Sequence, residues 1–475
     1  MGWRAMNTVR QFTFKNPHPD GDTGMVGAAI AQWLESRYPQ AAAEFLGLFA
    51  HTADDGAYSI AGVGSEFQVE SRKQGDTLHL CLKHRGSVLR EVSYALAGRD
   101  LHEEVFGHAA HFVYGARVLL MGTHQLPPST MLLGGWRCGT HPDEMQEPLI
   151  FTIPRIACHV TREACVFTLL GDESDADIIQ AMSDLPREVS PSTPLKIAGR
   201  RDIPECRDYI GALSEMIASL SQEANDKVVI CREVRLFLQS AVSPVDLLLM
   251  AASGKPAKYR YVFRWLDGEA WVGVSPEMLV SKQGANIVVE PLAGTRKGSD
   301  AKDKSERYRQ ELLNDGKEIE EHETAARMFL DMLGQVCEPA SIQQLESRGI
   351  IDLGYVQHLK SKIAATLRPD CNVFHLLAAI YPPATIWGKP VALSGERIRR
   401  HEHIERDFFT GGFGFFTLND DANFALAIRT ARMTHNEVRV YAGSGIVRRS
   451  DPYREWLETS NKMKPFLDNP YTVYS

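Results

Sequence analysis

The sequence predicts an α+β fold built on antiparallel sheet. Three observations carry this. Short stretches rich in β-branched and apolar residues recur along the chain and read as strands. Longer stretches with apolar residues at helical spacing read as helices. The two kinds are partly segregated rather than strictly alternating, which argues against a doubly wound parallel sheet. The chain has 475 residues, 44% of them hydrophobic and 24% charged, an ordinary globular composition that allows a large core.

Within residues 1–195, positions 24–36 read as a helix, and 78–82, 117–120, 149–153 and 165–170 as strands. Little in this part reads as chemistry, and it is expected to share one compact fold with the rest of the chain. The Pro191-Ser-Thr-Pro194 segment is a turn-rich break. Residues 196–467 carry the chemistry, and 468–475 read as a tail. After the break, 206–222 reads as a helix. Strands are expected at 228–231, 261–265, 270–274, 287–289, 424–429 and 438–442, and long helices at 305–333 and 451–466.

Charge and cysteine usage exclude several classes. The net charge is -8 and the isoelectric point about 6.1, with no basic face for nucleic acid. Apolar runs such as 247–252 are too short to span a membrane. The N-terminus has no apolar stretch of signal-peptide length. Eight scattered cysteines without a CxxC pair argue against a zinc site and fit a reduced, cytoplasmic protein.

Two helical stretches each carry glutamates three apart, Glu318 with Glu321 and Glu455 with Glu458. Residues at i and i+3 share a helix face. Two such faces brought together make an all-oxygen site suited to a hard ion such as Mg2+. By default each pair alone is a solvated helix face, as Glu320 and Glu323 are expected to be.

Eight segments stand in a telling order: DKVVICR (226–232), SPEMLV (275–280), EPLAGTR (290–296), KEIEEH (317–322), YVQHL (355–359), LAIRTA (426–431), YAGSGIVRRSDP (441–452) and EWLETSNK (455–462). Together they resemble the chorismate-binding enzymes over residues 200–467. That family comprises isochorismate and salicylate synthases and the large subunits of anthranilate and aminodeoxychorismate synthases. The resemblance implies a large α/β sandwich of two packed antiparallel sheets with helices outside. It implies Lys227 as general base, Glu277 as general acid, and Glu321 and Glu458 as direct Mg2+ ligands with Glu318 and Glu455 acting through water. It further implies substrate binding by Gly294, Thr295, His358, Thr385, Arg429, Gly443, Gly445 and Lys462.

The implied chemistry needs these residue types. Converting chorismate to isochorismate adds water at one ring carbon and expels hydroxyl from another. Water needs a base and the leaving hydroxyl an acid, so Lys227 must lose its proton readily and Glu277 must keep one. Mg2+ suits one substrate carboxylate, and Arg429 a bidentate grip on the other. Gly443 and Gly445 would let backbone N–H groups approach an anion. Without that context, Lys227 is a snorkelling strand residue, Glu277 a turn residue, Arg429 a strand-borne ion-pair partner and His358 a core histidine. His401 and His403 are expected at the surface.

Ammonia-using members of the family generally lack a lysine at the Lys227 position. Aminodeoxychorismate synthases usually carry a lysine where this chain has Ala293. Both features favour water. The segments VRVYAGSGIVRRSDPYREW, VQHLK and RRHEHIERDFFTGG look more like isochorismate synthases. EPLAGTR, NDGKEIEEH and Thr385 look more like salicylate synthases, but Phe409 stands where those carry a tyrosine, and Trp387 is expected to reshape the pocket. The expectation is a Mg2+-dependent isochorismate synthase acting on chorismate, with salicylate synthase as the alternative. The intact acid, base and glutamates argue against a non-catalytic paralogue. The expected assembly is a monomer or weak homodimer.

Overall fold

The structure, a computed structural model, describes residues 9–474 except 20, 53–55, 99, 140–145, 171–188, 221–225, 255, 266–267 and 300. Among the described residues the strands form one sheet of thirteen and one of twelve. The pairing is antiparallel except where Thr472–Tyr474 runs parallel to Leu195–Ile203, so the expected C-terminal tail adds an edge strand. Strands from both parts of the chain interleave. Phe45–His51 pairs with Tyr259–Trp265 in the first sheet, and Met131–Trp136 with Gly412–Thr417 in the second.

Three apolar layers hold the two sheets and their helices together. Between the sheets, Phe45, Phe49, Phe263 and Trp271 from the first meet Leu133, Met278 and Phe413 from the second. The outer face of the first sheet packs under Thr23–Arg37, Pro244–Ala252 and Pro452–Leu467. The second sheet is covered mainly by Leu101–Gly122, Gly316–Leu333 and Val373–Ile380. Among the described residues no helix is long and apolar enough to cross a membrane.

Three expected elements differ. Residues 117–120 belong to the helix Leu101–Gly122, not to a strand. Asp100 caps that helix by accepting from the His102 and Glu103 N–H groups, and Val105, Ala109, Phe112, Val113, Ala116 and Leu120 form its buried stripe. A four-residue apolar window is too short to tell the two periods apart. The stretch 305–333 is two helices, Lys302–Asn314 and Gly316–Leu333. Asp315 stops the first and caps the second, accepting from the Lys317 and Glu318 N–H groups. The strand expected over 424–429 is Ala422–Leu426, for a reason found in the site.

Candidate active site

The strand Lys227–Leu238 lies between Glu437–Ile446 and Leu195–Ile203. Strand alternation points Lys227, Val229 and Cys231 to one face, and all three line one cleft. Across the ladder, Gly443 pairs with Cys231 and Gly445 with Val229. A Cβ on Gly443 would stand 2.6 Å from Cys231 Sγ. One on Gly445 would stand 2.7 Å from Lys227 Cε and 3.0 Å from Glu321 Oε1. The glycines thus make room for side chains of the neighbouring strand. Gly443 also lines the cleft.

Glu277 and Arg429 come from two crossings between the sheets. The chain leaves the first sheet after Gly273 and enters the second at Met278; it leaves the second after Leu426 and returns at Thr430. The crossings are stitched together. Val274 N–H donates to the Arg429 carbonyl at 3.0 Å, Leu426 N–H to the Glu277 carbonyl at 3.1 Å, and the Ser275 hydroxyl to the Leu426 carbonyl at 2.7 Å. Arg429 adopts φ 51°, in the left-handed region that side chains rarely visit. It is a crossing residue rather than a strand residue, because the backbone must turn there from one sheet to the other.

Glu277 is 3% exposed. Its carboxylate accepts from Leu292 N–H at 3.5 Å. Burial pushes it up to about 7, against the opposing pull of Thr385, the Leu292 N–H, Arg429 and Lys227. Thr385 also lines the cleft.

Arg429 donates through Nη2 to His358 Nε2 at 2.7 Å. A guanidinium only donates, so Nε2 is the acceptor and the ring proton sits on Nδ1, facing Thr295 Oγ1 at 3.1 Å and the Gly294 carbonyl at 3.3 Å. Burial, then the Arg429 and Lys462 charges, hold His358 well below the usual histidine range, so the ring is neutral. Arg429 Nε is buried without a hydrogen-bond partner. It is an N–H donor suited to an anionic acceptor such as a carboxylate. Gly294 has φ 75°, and a Cβ there would stand 2.9 Å from the Glu318 carbonyl, so glycine lets this strand approach the glutamate helix.

Gly316–Leu333 packs on Leu292–Lys297, and Pro452–Leu467 on Glu437–Ile446. The two helices bring the four glutamates to the cleft's margin. Glu321 and Glu458 line it; Glu318 and Glu455 are buried behind. Three of the four are held by lysines. Lys227 Nζ stands 2.7 Å from Glu321 Oε1, Lys462 Nζ 2.7 Å from Glu458 Oε1, and Lys317 Nζ 3.3 Å from Glu318 Oε1. Lys462 also donates to the Gly443 carbonyl at 2.9 Å, and Thr295 N–H to Glu318 Oε2 at 2.8 Å. Burial would raise Glu321, but the Lys227, Lys317 and Lys462 charges hold it below the usual range. Burial and the Glu458 charge push Glu455 up to about 8, and burial and the Glu321 charge raise Glu318.

Among the described residues, no three His, Cys, Asp or Glu side chains converge as a ready metal site. The donor set nevertheless suits Mg2+. It is all carboxylate oxygen carried on two helices, and two members are raised by burial and then by the charge of a neighbouring glutamate. Glu320 and Glu323 are exposed, as expected.

Phe409 lines the cleft and stacks on Tyr441, ring centroids 5.1 Å apart. Trp387 lies outside the lining; its Nε1 donates to the Val391 carbonyl at 3.0 Å, while the adjacent Ile386 faces the cleft. His401 is half-buried and His403 exposed. Between them in sequence, Glu402 forms a pair that sequence reasoning missed. Arg406, fully buried, donates to Glu402 at 2.7 Å, to the Val229 carbonyl at 2.8 Å and to the Ile386 carbonyl at 3.0 Å. Glu402 accepts from Cys231 N–H at 2.9 Å. The pair therefore fixes the backbone of three lining residues. An i,i+4 Glu–Arg pair normally marks a solvated helix face; the apolar DFFTGG immediately after it is the one sign of burial.

The chain belongs to the chorismate-binding enzymes, whose family model matches residues 51–468. Its curated relatives include several anthranilate synthase components and an isochorismate synthase. Anthranilate synthase component 1 of Haloferax volcanii is 34% identical over 235 residues, 49% of this chain and 45% of that protein. Isochorismate synthase MenF of Bacillus subtilis is 27% identical over 260 residues, 55% of each. The chain thus spans about half the length of these relatives. Among solved structures, the menaquinone-specific isochorismate synthase MenF of Escherichia coli matches with a TM-score of 0.66 at 20% identity, covering 98% of this chain and 95% of that one, a likeness of fold.

Proposed function

We propose that this chain is a Mg2+-dependent isochorismate synthase that hydrates chorismate with loss of its allylic hydroxyl. The observation that carries this is a buried carboxyl, Glu277, raised to about 7 in the cleft that Lys227 also lines. One group can hold a proton at neutral pH and the other is an amine, the pair that hydration requires. A lysine at position 227 is also the feature that sets water-using members of the family apart from ammonia-using ones.

Glu277 gives its proton to the departing hydroxyl, and Lys227 Nζ takes one from the attacking water. Arg429, oriented by neutral His358, holds a substrate carboxylate through its Nε and Nη groups. Glu321 and Glu458 would hold Mg2+ directly, with Glu318 and Glu455 acting through water. When bound, Mg2+ supplies positive charge opposite the ring carboxylate. Lys227 needs a free lone pair to accept a proton, so it must act as the neutral amine, which can still donate an N–H to Glu321 across the 2.7 Å contact. Glu321 cannot offer the same lone pair to a lysine and to a metal.

The test is product chromatography from chorismate with Mg2+. Isochorismate as the product supports the proposal. Salicylate and pyruvate would make the chain a salicylate synthase, and an amine product with ammonium present would overturn the water-using assignment.

A further inference from the structure

The helix Pro452–Leu467 carries Glu455, Glu458 and Lys462, whose helical spacing puts them on one stripe. A neighbouring stripe, Trp456, Thr459 and Ser460, is gripped by one side chain of the first sheet. Arg232 stands on Lys227–Leu238, an odd number of positions from Lys227, so it points to the face opposite Lys227, Val229 and Cys231. It is fully buried. Its Nε donates to Thr459 Oγ1 at 2.8 Å and its Nη2 to Ser460 Oγ at 2.7 Å. The guanidinium also lies over the Trp456 ring, 3.6 Å from the centroid. Both hydroxyls donate to the Trp456 carbonyl, each at 2.9 Å. A hydroxyl has one proton, so each turns a lone pair to Arg232. On the sheet side, Nη1 donates at 2.9 Å to Asp202, which lies on Leu195–Ile203.

We propose that Arg232 is a positioning residue for the glutamate site: it locks the helix carrying Glu455, Glu458 and Lys462 onto the strand carrying Lys227. This rests on the magnesium assignment made above. The four glutamates come from two helices, and one strand touches both. Lys227 meets Glu321 on Gly316–Leu333 at 2.7 Å, and Arg232 holds Pro452–Leu467. The guanidinium is planar and its N–H groups point in fixed directions, so two hydroxyls one residue apart fix the rotation of the helix about its axis as well as its height. A lysine is a point charge on a flexible stem and cannot do both. Mg2+ demands near-ideal geometry, so a small rotation of Glu458 away from Glu321 registers as lost affinity. Asp202 touches Arg232 from the sheet side and has no part in that rotation.

The experiment is calorimetric titration of the full chain with MgCl2, without substrate, together with thermal melts in EDTA. It compares wild type, Arg232→Lys, the double variant Thr459→Val with Ser460→Ala, and Asp202→Asn. Arg232→Lys and the double variant should bind Mg2+ roughly ten- to a hundredfold more weakly than wild type, the usual span for losing a residue that orients metal ligands. Asp202→Asn keeps an acceptor on the sheet side and leaves the helix contacts in place. It should melt lower than wild type, because a buried guanidinium loses its counter-charge, yet bind Mg2+ as wild type does. Should Arg232→Lys fail to fold, the double variant, which keeps Arg232, decides. Wild-type Mg2+ affinity in the double variant would show that the arginine only stabilises the fold, and would overturn the proposal. So would an equal loss of affinity in Asp202→Asn, since metal binding would then follow general stability rather than the helix contacts. Absence of Mg2+ binding by wild type would overturn the magnesium assignment itself, and the role of Arg232 with it.

Discussion

Replacing Glu277 by glutamine tests the acid without any substrate. In the folded protein the carboxyl sits at about 7, against an ordinary 4.5. Below pH 4.5 both folded and unfolded chains hold the proton, and the residue contributes nothing. Above it the unfolded chain releases the proton while the folded one keeps it, so stability is lost as pH rises, up to the folded value. The full loss corresponds to about 3 kcal/mol, and the part falling between pH 5.5 and 8.5 to about 2 kcal/mol. The glutamine amide does not titrate, so that part disappears in the variant. Urea denaturation of both proteins in EDTA at the two pH values supplies the measurement. The stability difference, variant minus wild type, should become more favourable to the variant by about 2 kcal/mol at the higher pH. Any constant cost of the amide cancels, and so do Glu318 and Glu455, which both proteins share. A difference that does not move with pH would refute the raised carboxyl, and with it the reason for naming Glu277 the acid.

Turnover of chorismate needs Glu277 protonated, a state lost as pH rises through about 7; the pH–rate profile should therefore change shape in Glu277→Gln, and an identical profile in the variant would contradict this. Lys227→Ala and Glu277→Gln should each lose roughly 10²-fold or more in turnover, in both directions of the isomerisation, while equilibrium binding of chorismate persists. Glu321→Gln and Glu458→Gln should nearly abolish activity, as should EDTA, and full activity in a rigorously metal-free assay would remove the metal from the mechanism. Gly445→Ala puts a Cβ within 2.7 Å of Lys227 Cε; it should lower turnover at least about tenfold by displacing the base, and wild-type turnover in a folded variant would show that Lys227 need not stay where it is.

The site is legible in the sequence because its residues sit in short ordered motifs. Lys227, Glu277, Gly294, Thr295, Glu321, His358, Thr385, Arg429, Gly443, Glu458 and Lys462 all line one cleft. What the motifs do not show is which neighbours share the burial. Lys317 reads as a helix-surface lysine until the second helix is placed beside it. Glu402 and Arg406 read the same way until a sheet closes over them. The strand expected over 228–231 runs as Lys227–Leu238. Arg232, Glu233 and Arg235 interrupt its apolar pattern, but Arg232 pairs with Asp202 at 2.9 Å and Glu233 with Arg235 at 2.6 Å, so charge does not end the strand. The helix Leu101–Gly122 is hidden for the opposite reason, since a short apolar run within it matches either period.

The crossings between sheets explain why a carboxyl and a guanidinium can be buried together in an apolar sandwich. A residue within a strand must point to one face of its sheet, and in this fold those faces are mostly filled by aromatic and aliphatic side chains. Residues 274–277 and 427–429 belong to neither sheet, so Glu277 and Arg429 can face the gap. Leaving the ladder exposes backbone groups that cannot stay unpaired in the interior. The two crossings answer that need for each other, through Val274 with Arg429, Leu426 with Glu277, and the Ser275 hydroxyl with Leu426. The bonds that satisfy the backbone also fix the acid relative to the guanidinium. Glu277 and Arg429 are therefore positioned by one shared set of hydrogen bonds, while Lys227 stands on a regular strand of the first sheet.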